Sequence, residues 1–199
     1  IVSSHAHSDH VGGIAELQRL SGARVAASTA GAAAMRRGRG GSDDAQFEYG
    51  DTFPPIKNVK IVHDRQTLEA GGIEITVQYT PGHTPGGTSW TWQSCEGERC
   101  LHMVYADSLT PVSDDSFKFT GDKRYPTALQ DFTRTIERIE SLPCDILVAA
   151  HPEFGELWKR VERREKGDTN ALLDPQACKR YAHAGRTRLN ERVSRERTR

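Results

Sequence analysis

The stretch His5-Ala6-His7-Ser8-Asp9-His10 puts four potential metal ligands into six residues. Imidazole and carboxylate at this density make a donor set suited to zinc. In an extended or looping segment His5 and His7 project to the same side, while Asp9 and His10 point elsewhere. One short segment can therefore supply ligands to two metal ions. Gly12-Gly13 follow and permit a tight backbone passage into a helix whose N-terminal end lies close to the site.

Working outward, Ile14, Leu17 and Leu20 are spaced by three and predict a short helix stopped at Gly22. Arg24 to Ser28 predicts a strand, and Thr29 to Arg37 a helix closed by Gly38. Residues 38 to 58 carry glycines, Asp43-Asp44 and Pro54-Pro55, and read as an irregular surface connection. From Val59 to Trp92 the period changes to two, with Ile73, Ile75, Val77 and Tyr79 on one strand face, which predicts antiparallel sheet. Leu101 to Ala106 predicts a further strand. Phe132, Ile136 and Ile139 predict a helix from near Pro126 to about Ser141, and residues 145–150 a buried strand. Leu157 and Val161 share a helical face, Gly167-Asp168 breaks it, and a last helix starts near Pro175.

Two more histidines sit where strands end. His83 lies in the constrained turn Thr80-Pro81-Gly82-His83-Thr84-Pro85-Gly86-Gly87, where little side-chain entropy remains to be lost on binding. His151 follows the apolar run 146 to 150 and precedes Pro152, at a strand end where active-site loops gather. His63, His102 and His183 lack such contexts and are read as structural.

The 199 residues, 36% hydrophobic and 27% charged, suit one domain, taken as 1–199. Lysines plus arginines balance aspartates plus glutamates, 27 against 27, so no net field attracts nucleic acid or an anionic membrane. A small neutral or zwitterionic substrate fits better. No run approaches the roughly 18 apolar residues that a spanning helix needs. The chain opens on Ile1-Val2-Ser3-Ser4 without a leader, and is expected to begin inside a fold, through processing or a missing segment. Six of the last fourteen residues are arginine, interleaved with Glu191 and Glu196, and predict a solvated or fraying helix rather than a nucleic-acid tail. Cysteines stand at 95, 100, 144 and 178, none in a CxxC pair. A Cys95 to Cys100 bridge across a hairpin tip is sterically feasible, and two free thiols are the alternative. If Cys144 joined Cys178, the closed loop would stabilise the fold, and both bridges together would imply an oxidising compartment.

The segments HAHSDH, TPGHTPG, Ala106-Asp107-Ser108-Leu109 and Ala150-His151-Pro152, in this order, resemble the metallo-β-lactamase superfamily along the whole chain. Thr88-Ser89-Trp90-Thr91-Trp92, Leu142-Pro143-Cys144-Asp145 and Cys178 resemble its subclass B3, in which a disulfide joins the last two cysteine positions, and Cys95 with Cys100 resembles an extra bridge of some members. The resemblance implies an α+β, four-layer αββα sandwich. It also implies two zinc ions, the first held by His5, His7 and His83 and the second by Asp9, His10 and His151. By the same resemblance Ser108, where subclass B1 has a zinc-binding Cys, holds the water on the second zinc. Thr110 stands where many members have a serine that contacts the substrate carboxylate. The implied activity is opening of the β-lactam amide by hydroxide generated between the zincs, with Asp9 as ligand and proton relay. Antibiotic inactivation in the periplasm or outside the cell follows. The oligomeric state is left open.

The resemblance also departs from the pattern: a run of strands precedes HxHxDH in the family, and none is present here. An incomplete copy with exposed apolar surface and an unpaired edge is expected, and a non-catalytic fragment is one rival reading. The other rivals are related dizinc hydrolases: a glyoxalase II-like thioesterase, a lactonase or an RNase-Z-like nuclease. These use an aspartate from this region to bridge the metals, and Asp107 adjoins Ser108. Neutral charge disfavours the nuclease and the candidate disulfides a cytosolic thioesterase.

Overall fold

The computed structural model describes residues 1–198, so Arg199 of the arginine-rich tail lies outside the described residues. From the N-terminus come α1 (Ser8–Val11), α2 (Ile14–Ser21), β1 (Val25–Ala27) and α3 (Thr29–Arg37). Next are β2 (Val59–Ile61), β3 (Thr67–Ala70), β4 (Ile73–Tyr79), β5 (Thr88–Glu96) and β6 (Arg99–Ala106). The chain closes with α4 (Ala128–Ser141), β7 (Ile146–Ala149), α5 (Leu157–Glu165) and α6 (Ala177–Arg197).

These pack as the four αββα layers. β1 and β2 pair in parallel, extended by a bridge between Val2 and Ala26. The second sheet runs β3-β4-β5-β6-β7, antiparallel except for the parallel β6–β7 pair. Val11, Ile14, Ala32, Met35 and Ile56 bury against Val25 and Val59 on the outer face of the small sheet. Ala26, Val62, Val77 and Trp90 fill the space between the sheets. Phe132, Ile136 and Ile139 of α4, with Tyr181 and Leu189 of α6, cover Val104, Ala106 and Leu147 of the large sheet. Each such side chain taken from water contributes roughly 1.5 to 3 kcal/mol, which is what holds these amphipathic helices in place.

The period-two reading of residues 73 to 79 holds, with Val77 fully buried and Ile73, at the far end, 47% exposed. β3 has no legible period and is an edge strand, largely exposed. It forms because Gly71 and Gly72, at φ 61° and 80°, make the two-residue turn that folds it back onto β4.

Two expectations hold only in part. Residues 38 to 58 are irregular apart from a 3-10 turn over Phe47–Tyr49 and lie largely at the surface, but Asp44, Ala45, Phe53 and Ile56 are buried and Asp44 reaches His7. The arginine-rich tail is a helix with Arg195 and Arg197 exposed, but it is not solvated throughout, since Leu189 and Glu196 are buried. α6 buries Cys178, Tyr181, Ala182, Leu189 and Glu196. The Glu196 carboxylate accepts the backbone N–H groups of Phe119 and Thr120 at 3.0 and 2.9 Å, and Arg192 donates to the Phe117 carbonyl at 3.0 Å. Two of its charges, Arg192 and Glu196, fasten the 113–120 loop.

Both cysteine pairs are joined, Cys95 to Cys100 at directly paired positions of β5 and β6, and Cys144 to Cys178 across 34 residues, tying the start of β7 to α6. Closing a loop of that length restricts the unfolded chain, so a Cys144→Ala/Cys178→Ala variant is expected to lose about 3 to 4 kcal/mol. A denaturant midpoint unchanged from the parent would contradict this.

Candidate metal centre

The backbone is extended to His7, whose carbonyl accepts the N–H groups of His10 and Val11 at 3.0 Å each and so opens α1. This turn of helix separates the donors, leaving His5 and His7 on one side and carrying Asp9 and His10 to the other. The segment is anchored before it turns: the Trp90 indole donates to the Ser3 carbonyl at 3.0 Å, and Thr88 N–H to the Ser4 carbonyl at 2.8 Å. Asp51 accepts the Ser8 N–H at 2.7 Å, satisfying a donor at the helix start.

His83 is presented by the turn after β4. The Thr135 hydroxyl of α4 donates to the Pro81 carbonyl at 2.6 Å, and Ser28, the N-cap of α3, donates to the Gly86 carbonyl at 2.7 Å. His151 follows β7 and leads into a 3-10 turn over Pro152–Gly155. Helices on both outer layers thus brace the loops that carry the histidines.

Two groups of donors converge. One ligand atom from each of His5, His7 and His83 lies within 4.8 Å of the others, and the same holds for Asp9, His10 and His151. In the second group His10 Nε2 and His151 Nε2 are 3.2 Å apart, with Asp9 Oδ2 at 3.2 Å from the first and 3.6 Å from the second. The groups adjoin, the His5 and His10 ring centroids being 4.0 Å apart.

Each ring of the first group is held from behind. His5 Nδ1 donates to Asp107 Oδ1 at 2.8 Å, His7 Nε2 to Asp44 Oδ2 at 3.1 Å, and His83 Nδ1 to the Thr110 carbonyl at 2.7 Å. That fixes one nitrogen per ring as donor and leaves His5 Nε2, His7 Nδ1 and His83 Nε2 as lone-pair donors. His5 Nε2 is buried with no partner among the described residues. A buried, unpartnered imidazole nitrogen grouped with a ring nitrogen from each of two further histidines is what a metal ion resolves. Burial, reinforced by His83, His10, His7 and His151, holds His5 well below the usual histidine pKa. Burial and His7 lower His83 to about 4, and burial lowers His10 despite Asp9. Neutral imidazole is the ligating form, so the residues fit a metal.

The other candidates are distributed unevenly. Thr110 lines the open cavity over the donors, about 550 Å³, together with Gln46, Tyr49, Val112 and Phe154. Ser108 does not line it; it is buried, and its hydroxyl has no partner among the described residues. Asp107 belongs to neither donor group: its Oδ1 also accepts the Ser108 N–H at 2.8 Å, and burial raises its pKa well above the carboxylate range. Asp44 and Asp51, Gln46 and Tyr49 were not legible as site residues. Their one signal is the Asp43-Asp44 pair inside a Gly-rich segment, and the partners of Asp44 and Asp51, His7 and Ser8, are more than 35 residues away in sequence.

A model of the metallo-beta-lactamase superfamily matches residues 1–151, and the chain belongs to that superfamily. Within it, the similarity runs to subclass B3. The Rm3 metallo-beta-lactamase is 48% identical, covers 99% of this chain and 73% of its own, and superposes with a TM-score of 0.97. MEM-A1, a subclass B3 metallo-beta-lactamase isolated from a soil metagenome library, is 41% identical over 100% of this chain and 75% of its own, with a TM-score of 0.96. Among curated relatives, a hydroxyacylglutathione hydrolase of Pseudomonas savastanoi pv. phaseolicola is 28% identical over 98% of this chain, which spans 61% of that relative's length.

Proposed function

We propose that this chain is a zinc-dependent β-lactamase of the B3 type that opens the β-lactam amide in the periplasm or outside the cell. His5, His7 and His83 would hold one zinc ion and Asp9, His10 and His151 a second. Zinc in such a pair supplies Lewis acidity that lowers the pKa of water to about 7 and polarises a carbonyl. The protein's part is positional. Asp107, Asp44 and the Thr110 carbonyl fix the first three rings. The Thr110 hydroxyl, at the cavity wall, would bind the substrate carboxylate, and the Ser108 hydroxyl, buried off that wall and unpartnered, would take a water. Asp9, whose carboxylate is 56% exposed, would ligate and pass a proton to the departing amide nitrogen.

The observation that carries this reading over the related hydrolases is Asp107. It stands in neither donor group, and its Oδ1 is engaged by His5 Nδ1 and Ser108 N–H, the place of an aspartate that orients a ligating ring and not of one that bridges two metals. The 28% identity to a hydroxyacylglutathione hydrolase favours the second reading, a glutathione thioesterase. Both disulfides argue for an oxidising compartment and so for the first.

The test is hydrolysis of a penicillin, a cephalosporin, a carbapenem and a glutathione thioester, with zinc and then with a chelator. Zinc-dependent turnover of β-lactams with none of the thioester is expected; the reverse would replace this reading by the second. Asp9→Asn removes one anionic ligand and the proton carrier together, and is expected to lower kcat by about 100-fold or more. Full activity with two bound zincs in that variant would remove Asp9 from the mechanism.

A further inference from the structure

Behind the metal centre, Phe154 is shared between two cavities, the open one over the donors and a second of about 290 Å³ between the Pro152–Gly155 turn, α5 and α6. Arg160, Arg180 and Arg188 line this second cavity, with Glu153 and Glu156 at its wall. The guanidinium of Arg188 stacks on the outer face of Phe154, 4.6 Å from the ring centroid, and Phe154 in turn meets the His151 ring edge-on at 6.0 Å.

Three arginines face three carboxylates, Glu153, Glu156 and Asp174, but their pairing is uneven. Asp174 Oδ2 accepts from Arg160 at 3.2 Å and also from Arg180, so one carboxylate serves two guanidinium groups. Glu156 is occupied by Lys159 at 3.0 Å, and the nearest partner of Glu153 in its ion pairing is His151, at 3.9 Å. Arg188 makes no carboxylate contact among the described residues. Arg160 Nη1 and Arg188 Nη1 are both buried without an acceptor among the described residues, and the Arg160 side chain is 8% exposed. A guanidinium is always charged and carries five N–H donors, so a buried one lacking acceptors is costly, and a planar fork of donors is suited to an oxyanion.

We propose that this cavity is a binding site for a phosphate group, free or carried on a small organic molecule, distinct from the metal centre. Arg188 and Arg160 would supply donors now unmatched, and Arg180, half-exposed, would close over the anion from the solvent side. The proposal does not depend on which substrate the metal centre takes.

Calorimetric titration of the zinc-loaded protein with inorganic phosphate, at matched ionic strength against chloride, tests it. Arg188→Gln and Arg180→Gln leave the Arg160 to Asp174 pair intact and should fold normally, as their thermal midpoints in chloride would report. One binding event weakened about tenfold or more in each variant is the expected result, and selenate-soaked crystals should give an anomalous peak at Arg188. Tighter binding of a phosphate monoester than of inorganic phosphate would identify the ligand as an organic phosphate. Binding unchanged in both variants, or a peak at the metal centre alone, would overturn the proposal.

Discussion

His5→Ala is expected to reduce hydrolysis by roughly a thousandfold or more and to lower bound zinc from two equivalents toward one. The substitution takes away a donor that the fold leaves buried and unpartnered, and with it several kcal/mol of Lewis-acid stabilisation, each 1.4 kcal/mol being a factor of ten in rate. A second cost falls on Asp107. Its Oδ1 loses the imidazole N–H and keeps the Ser108 N–H, while the carboxyl remains wholly buried beneath the large sheet's end. An acceptor left short of donors in such a place is destabilising by about 1 to 3 kcal/mol. Zinc content by elemental analysis and turnover on the same sample separate the two effects. Two zincs and near-parental turnover in His5→Ala would sink the ligand assignment.

Gly87→Ala is expected to be the most damaging change outside the donors. A Cβ there would sit 2.3 Å from Asp107 Oδ2 and 2.3 Å from the Thr80 carbonyl oxygen, contacts that no real Cβ makes. Neither neighbour can yield. Thr80 N–H bonds the Gly87 carbonyl at 2.9 Å, and the Asp107 carboxylate is fixed by His5 while its own N–H is bonded to the Ser89 hydroxyl at 2.9 Å. Overpacking of this kind costs about 3 kcal/mol, or roughly 6 to 12 °C in Tm for a domain of this length. Displacing Asp107 also frees the His5 ring, and loss of such an outer hydrogen bond typically weakens metal affinity by roughly 10- to 100-fold. Thermal unfolding with and without added zinc checks both parts. A parental Tm and zinc affinity would show that the strand start relaxes at no cost and that Asp107 does not depend on it.

The histidines were legible because their signal is local: HxHxDH packs its donors into six residues, and His83 and His151 each follow a recognisable strand. The large sheet and its covering helices were legible for the same reason, since alternation in 73 to 79 and the 132, 136, 139 spacing are short-range patterns. Residues 38 to 58 carry no such pattern, and the role of Asp44 exists through its approach to His7, 37 positions away. The arginine-rich tail likewise read as solvated, because nothing nearby in sequence tells that Glu196 will meet the backbone of Phe119 and Thr120.

What the sequence by itself determined is the donor inventory, the strand and helix periods that surround it, and the cysteines available for pairing. Which nitrogen of each ring points inward, that Asp107 turns back onto His5 instead of into the centre, and that three arginines enclose a second cavity were decided by the tertiary structure alone. Periodicity is a property of neighbours within a few residues, whereas a hydrogen bond across 102 positions or an unmatched buried guanidinium depends on which layers pack together.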